Sequence, residues 1–177
     1  ELGTSQVDSD PARSLMTRLP DSIATRKVAI LAADGVAMED VRSIKEQLAA
    51  EGAEGLLIAP SMAPIKAGDG TMLSPDAMLN GLPSVTVDAV VVAGGAGSVE
   101  ALSGSGLGLY YVQEAYKHLK PIVAICEGKE LLAAARVPVE EGVILVDDVL
   151  AASLPLRDAL MAHRVWSRDA RANQMPA

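Results

Sequence analysis

Five short apolar runs recur along this chain, and they limit the possible fold more than any other feature. They are KVAILAA (27–33), EGLLIAP (54–60), VTVDAVVVAGG (85–95), KPIVAIC (120–126) and GVILVDD (142–148). A run that stays mostly apolar, instead of alternating with polar residues, is typical of a β-strand that is covered on both faces. We therefore expect five buried strands.

Segments with helical spacing lie between and after these strands. Val41, Ile44, Leu48 and Ala49 fall on one side of a helix predicted over 39–51. Three more helices are predicted, at 107–119, at 127–136, and from an N-cap at Ser153 to about Arg164. Alternating strands and helices predict an α/β fold, with a mostly parallel sheet and helices on both of its faces.

The remaining segments are predicted to be connections. Residues 64–76 (PIKAGDGTMLSPD) predict a small hairpin around Gly68-Asp69-Gly70. The glycine-rich stretches 94–97 and 104–108 are predicted to be loops. The first of them lacks the lysine and the G-x-G-x-x-G order of loops that bind nucleotide phosphates.

The first 25 residues differ in composition from the rest of the chain. They are rich in Ser, Asp, Pro, Arg and Thr, and only Leu15, Met16 and Leu19 could dock them on a core. We expect 1–25 to be a poorly ordered linker or arm. Residues 26–177 are expected to form a single domain, which at this size needs no disulfide or metal in order to fold.

The composition argues against several classes of function. The net charge of −8 repels nucleic acid and anionic membranes, and no apolar run approaches the roughly 18 residues of a membrane span. Cys126 is the only cysteine, so no intramolecular disulfide can form, which suits a reducing compartment such as the cytoplasm. One cysteine and two distant histidines supply no metal-ligand cluster at a useful spacing.

Chemistry in an open parallel sheet is expected beyond the carboxyl ends of its strands. Cys126 falls there, at a strand-to-helix junction. A tight turn would hold its thiol above the N-terminus of the next helix and lower the thiol pKa. Gly94 and Gly95, at the end of a neighbouring strand, could offer backbone N–H groups to an oxyanion. These residues form a candidate thiol site.

The same residues are also consistent with a purely structural role. A free cysteine commonly packs as a small buried hydrophobe, and Glu127, next to the thiol, would raise its pKa. His118 and His163 fall in predicted helices and are expected on helix faces or at interfaces, not as a base for the thiol. Asp34, after the first strand, would repel the phosphate of a bound flavin.

Two sets of motifs resemble known families. The segments VVVAGGAG and VAICEG, with the hairpin before Pro75-Asp76, resemble the PfpI-type, class I glutamine amidotransferase-like superfamily. Its members use the cysteine for hydrolytic, glyoxalase-like or redox-sensing chemistry. RKVAILAADGV (26–36), YYVQEAYKHLKPIVA (110–124) and LMAHRVWSR (160–168) look like the C-terminal domain of large-subunit haem catalases. The resemblance implies a flavodoxin-like three-layer sandwich.

The catalase resemblance implies a domain that is not catalytic by itself. Haem, and with it the dismutation of hydrogen peroxide, would belong to the core of the parent catalase, so no cofactor is expected in this domain. The implied partners are that core and the sister subunits of a tetramer. The implied roles are subunit stability, assembly, substrate access or chaperone-like protection, with 1–25 as the linker to the core.

The thiol site departs from the PfpI-type pattern. Active members place a glutamate just after the first strand, where this chain has Ala37, with Glu39 two residues on. The resemblance therefore implies a vestigial thiol site made of Cys126, Glu127, Gly94, Gly95 and Glu39. The alternative is a free-standing PfpI-type cysteine-dependent enzyme or redox sensor that uses Cys126.

Overall fold

The predicted apolar runs form one parallel sheet in a computed structural model that describes residues 21–172. The order of its strands across the sheet is β5 (Ala77–Met78), β2 (Glu54–Ala59), β1 (Lys27–Leu31), β6 (Ala89–Val92), β7 (Ile122–Ile125) and β8 (Val143–Val146). Every neighbouring pair is parallel. The short strands β3 (Ile65–Lys66) and β4 (Met72–Leu73) form the predicted antiparallel hairpin.

Helices cover both faces of the sheet, which confirms the predicted α/β architecture. α1 (Met38–Ala50) and α5 (Val149–Ala162) pack on one face, and α2 (Ala96–Ser103), α3 (Gly106–Lys117) and α4 (Gly128–Ala134) pack on the other. β6 and β7 are buried along their whole length because successive side chains reach opposite helical layers. A short helix α6 (Asp169–Ala172) ends the described part, and the predicted arm at 1–20 lies outside it.

The prediction of loops at the glycine-rich stretches is wrong in part: Gly94, Gly95 and Gly104 lie outside helices, but α2 begins at Ala96 and α3 at Gly106. In α2, the hydroxyl of Ser98 accepts a hydrogen bond from the Ala33 N–H at 2.8 Å, so a polar contact with the sheet anchors the helix. In α3, Gly108 allows a close helix contact, since a Cβ there would lie 2.3 Å from the Leu102 oxygen. Tertiary contacts therefore offset the low helix propensity of glycine.

The last helix begins earlier than predicted. The N-cap of α5 is Asp148, whose carboxylate accepts a hydrogen bond from the Ala151 N–H at 2.9 Å. Ser153 lies inside the helix, so its prediction as the N-cap is wrong. The predicted strand over 85–95 is also shorter, because Ser84–Thr86 form a 3-10 turn and the extended segment is Ala89–Val92.

Candidate thiol site

The predicted site residues follow three strands: Glu39 comes after β1, Gly94 and Gly95 after β6, and Cys126 and Glu127 after β7. The carboxyl ends of these strands lie at one edge of the sheet. The strand order reverses between β1 and β6, which is where folds of this class open a crevice for ligands. Backbone fills that crevice here. The Ala37 N–H donates to the Gly94 carbonyl at 2.9 Å, and a Cβ on Gly95 would lie 2.3 Å from the Gly35 oxygen. Gly95 also has a φ of +104°, which favours glycine.

Cys126 occupies a strained turn between β7 and α4. Its φ of +50° lies in the left-handed region, which residues with a Cβ rarely adopt. The turn fits closely against β6, because a Cβ on Gly128 would lie 2.8 Å from the Val92 oxygen. The Cys126 N–H donates to the Val146 carbonyl at 2.8 Å, and the thiol donates to the Asp147 carbonyl at 2.9 Å. The thiol therefore bonds to the backbone that follows β8.

The two backbone N–H groups predicted to bind an oxyanion already have partners. Gly94 donates to the Asp40 carboxylate at 2.7 Å, and Gly95 donates to the Glu127 carboxylate at 3.0 Å. Around the position that a Cβ on Gly94 would take, the Asp40 Oδ2 lies at 2.9 Å, the Glu127 Oε2 at 3.2 Å and the Cys126 Cβ at 3.4 Å. Side chains of the protein thus occupy the place predicted for a substrate oxyanion.

Asp40 is the member of this site that the sequence analysis missed. It lies in the first turn of α1, and only 7% of it is exposed. Burial raises the pKa of its carboxyl, the hydrogen bond from Gly94 opposes this, and the charge of Glu127 raises the pKa further. Its position four residues before Ile44 and eight before Leu48 was the available signal, because that spacing places it on the buried side of the helix.

Glu39, which the sequence analysis assigned to the site, faces away from it. Its carboxylate accepts hydrogen bonds from the Arg42 guanidinium at 2.6 Å and from the Ser43 hydroxyl at 3.3 Å. The hydrogen bond from Arg42 lowers the pKa of Glu39. Adjacent residues on an α-helix point about 100° apart, so Glu39 and Asp40 cannot both face the sheet.

The surroundings of Cys126 disfavour the thiolate form of its side chain. Burial raises the pKa of the thiol, and the charges of Asp40, Glu127, Asp147 and Asp148 raise it further. Glu127 is ionised, because the hydrogen bond from the Gly95 N–H lowers its pKa. These effects act against the lowering of the thiol pKa that the N-terminus of α4 would give.

Neither histidine lies at this edge of the sheet. His163 is 3.0 Å from a guanidinium nitrogen of Arg26 and 3.4 Å from the Asp88 carboxylate, which places it beside the amino ends of β1 and β6. His118 caps the C-terminus of α3, just before β7 begins, and is 3.6 Å from Glu114. A strand of four residues spans more than about 10 Å. Both imidazoles are therefore too far away to deprotonate the thiol.

A separate cleft of about 370 Å³ lies between α3 and the segment 79–85. Its lining includes Leu79, Val85, Leu107 and Tyr110 but no residue of the thiol site. Within residues 21–172, no group of three or more His, Cys, Asp and Glu is arranged to hold a metal ion. In the same part of the chain, no helix is long and apolar enough to cross a membrane.

The sequence is similar to catalases over nearly its whole length. The family model for the C-terminal domain found in long catalases matches residues 24–170. The chain is 45% identical to Catalase HPII of Pseudomonas aeruginosa over 98% of its own length and 24% of that protein. It is 32% identical to Catalase-B of Dictyostelium discoideum, over 97% of this chain and 25% of that one. The chain therefore spans about a quarter of the length of these relatives.

Solved structures confirm the predicted flavodoxin-like, PfpI-type fold. The VC2308 protein matches with a TM-score of 0.60 and 20% identity, over 63% of this chain and 58% of that one. A two-domain protein from Anabaena variabilis, containing DJ-1/ThiJ/PfpI-like and ferritin-like domains, matches with a TM-score of 0.58 and 24% identity, over 63% and 32%. These structures show the fold alone. The family model and the identity to the catalases show that the chain belongs to the family of C-terminal domains of long catalases.

Proposed function

We propose that this domain is a non-catalytic accessory part of a long haem catalase. Haem and peroxide dismutation belong to the core of the parent chain, and residues 1–25 link that core to the domain. The partners of the domain are the core and the sister subunits of a tetramer. Its role is to stabilise and assemble the subunits, while control of substrate access and chaperone-like protection are the other roles that this parentage allows.

One observation supports the non-catalytic part of this proposal. The carboxylates of Asp40 and Glu127 accept the hydrogen bonds that the N–H groups of Gly94 and Gly95 donate. An oxyanion hole works only when its donors are free to meet the negative charge that develops in the transition state. Here an anionic intermediate would meet two carboxylates instead. Cys126, with a raised thiol pKa and no imidazole nearby, supplies little of the thiolate that a cysteine nucleophile needs.

The reactivity of the thiol can be tested on the 177-residue chain. We expect alkylation of Cys126 by iodoacetamide to follow an apparent pKa above the ~8.5 of a free thiol, with no sulfenate after treatment with peroxide. Asp40→Asn should lower that apparent pKa. Glu39→Gln, in the same helical turn but facing solvent, is the matched control and should leave it unchanged. Turnover of methylglyoxal that is lost in Cys126→Ala, or ready formation of a sulfenate, would overturn the proposal in favour of a PfpI-type enzyme or redox sensor.

The accessory role can be tested on the long catalase chain that carries this domain. Deletion of 26–177 should leave turnover per haem largely intact, but should shorten the half-life of the tetramer on heating several-fold. An unchanged half-life and unchanged assembly would contradict the stabilising role. A Soret band and release of oxygen from peroxide by the 177-residue chain alone would contradict the assignment of haem to the core.

A further inference from the structure

The first two turns of α5 are apolar on their exposed side as well as on their buried side. Leu150 is 73% exposed and Leu154 is 69% exposed, and they lie one turn apart with Ala151 exposed beside them. The opposite side of the helix packs into the core through Val149, Ala152, Leu156 and Leu160. A helix that is apolar all round is typical of one that is buried on all sides. We call Leu150, Ala151 and Leu154 the α5 surface.

The neighbouring helix on the same face of the sheet shows the ordinary pattern for contact with water. The exposed side of α1 carries Arg42, which pairs with both Glu39 and Glu46. Charged residues enter α5 only after the α5 surface, where Arg157 pairs with Glu51 at the end of α1. The exposed side chains of α1 are therefore those of a helix in contact with water, whereas the exposed side chains at the start of α5 are not.

The edge of the sheet beneath α5 is open as well. β8 is the last strand of the sheet, and within the described residues no strand pairs with its outer edge. Leu145, in the middle of β8, is exposed on the opposite face of the sheet, because its neighbours Ile144 and Val146 point toward the layer of α5. An unpaired edge strand presents free N–H and C=O groups with which another part of a chain can pair, so contact near the start of α5 can extend onto β8.

We propose that the α5 surface packs against the rest of the long catalase chain that carries this domain. This inference rests on the proposed function. The chain covers 24% of Catalase HPII, so about three quarters of such a chain lies outside the domain and is available to cover the surface. A covalently joined partner is present at millimolar effective concentration, so a small apolar contact is enough to hold it.

A second free copy of the domain fits this surface less well. Stable interfaces between separate chains bury roughly 800 Å² on each partner. The α5 surface consists of two leucines and one alanine over two helical turns, which is well below that area. A contact of this size serves a tethered domain better than an independent dimer.

Hydroxyl-radical footprinting read by mass spectrometry tests this inference directly. We expect Leu150 and Leu154 to be oxidised at least several-fold more slowly in the long catalase chain than in the 177-residue chain. Leu107, an exposed leucine of α3, is the internal control and should react equally in both. Equal rates at Leu150 and Leu154 in the two chains would overturn the inference. Protection of Leu150 and Leu154 in the 177-residue chain alone would also overturn it. Such protection would indicate a second copy if it depends on protein concentration, and contact with residues 1–20 if it does not.

A double substitution provides a second measurement. Leu150→Glu with Leu154→Glu in the long chain should increase proteolytic cleavage within 1–25 several-fold, while Leu107→Glu should not. Circular dichroism of the same variants in the 177-residue chain checks that the domain still folds, as exposed positions allow. The proposed function fails if the domain turns over a substrate through Cys126. The inference fails if the leucines stay exposed, so the two failures are distinguishable.

Discussion

Removing one hydroxyl from each of two buried tyrosines of α3 should change stability in opposite directions. The Tyr116 hydroxyl donates a hydrogen bond to the Glu140 carboxylate, and the Arg168 guanidinium lies 4.6 Å from the centre of the Tyr116 ring. Tyr111 is only 3% exposed, and among the described residues its hydroxyl has no hydrogen-bond partner. Tyr116→Phe and Tyr111→Phe therefore compare a satisfied buried hydroxyl with an unsatisfied one.

The magnitudes follow from the partners. A hydrogen bond to a charged group contributes about 1.5–3 kcal/mol, so Tyr116→Phe should lower the free energy of unfolding by about that amount. Burial raises the pKa of Tyr116 to about 12, so its hydroxyl can donate at neutral pH. Desolvation of an unpaired buried hydroxyl costs about 1–3 kcal/mol, so Tyr111→Phe should raise the free energy of unfolding by about 1 kcal/mol or more. Each kcal/mol corresponds to about 2–4 °C in Tm for a domain of this size.

Urea unfolding at pH 7, followed by far-UV circular dichroism and fitted with a shared m-value, measures these differences. Tyr110→Phe is the matched control, because Tyr110 is on the same helix but is 53% exposed, and its effect should stay within about 0.5 kcal/mol. Equal destabilisation by Tyr111→Phe and Tyr116→Phe would refute the reasoning, since it would mean that hydrogen bonding does not set what these hydroxyls contribute.

Three further predictions concern the site and its surroundings. Gly95→Ala should lower the free energy of unfolding by about 3 kcal/mol or more, because Gly95 has a positive φ and a close backbone contact. Gly106→Ala is the comparison and should raise the free energy of unfolding by up to about 1 kcal/mol, because a Cβ at Gly106 meets open space. Thermal melts measure both changes. Asp148→Ala removes the N-cap of α5 and should cost about 0.5–2 kcal/mol in urea unfolding. Asp40 and Glu127 should give pH dependences of opposite sign. The raised pKa of Asp40 adds stability as pH falls toward 3.8, and the lowered pKa of Glu127 removes stability as pH falls below 4.5. On acidification, the wild type should gain stability relative to Asp40→Asn and lose it relative to Glu127→Gln, and parallel curves would contradict both assignments.

The strands could be predicted from the sequence because a strand buried on both faces must be apolar along its length. α2 could not, because its stability depends on contacts with residues far away in the sequence. Gly97 lies against the Asp34 backbone, where a Cβ would be 3.3 Å from the oxygen, and Ser98 bonds to Ala33. Such contacts form only when β1 and β6 lie side by side in the folded sheet, so the local sequence does not predict them.

Only part of the thiol site could be predicted, because the rest also depends on residues that are far apart in the sequence. The strand-to-helix turn at Cys126 and the nearby glycines follow from local sequence, but the partner of the Gly94 N–H is Asp40, which is 54 positions away. The choice between Glu39 and Asp40 depends on the rotation of α1 about its axis, which a pair of adjacent acidic residues leaves open. Helical spacing from Ile44 and Leu48 favours Asp40, and this was the one local clue.

The closed crevice explains why two carboxylates lie at the N–H groups of Gly94 and Gly95. Once the backbone at Gly35 packs against Gly95, the N–H of Gly94 is buried, and a buried N–H without an acceptor is costly. Asp40 and Glu127 provide the acceptors that water or a ligand would otherwise supply. The turn at Cys126 has a structural reason of its own, because Gly128 brings the start of α4 against Val92. Packing of the turn against β6 is therefore enough to explain the left-handed backbone at Cys126.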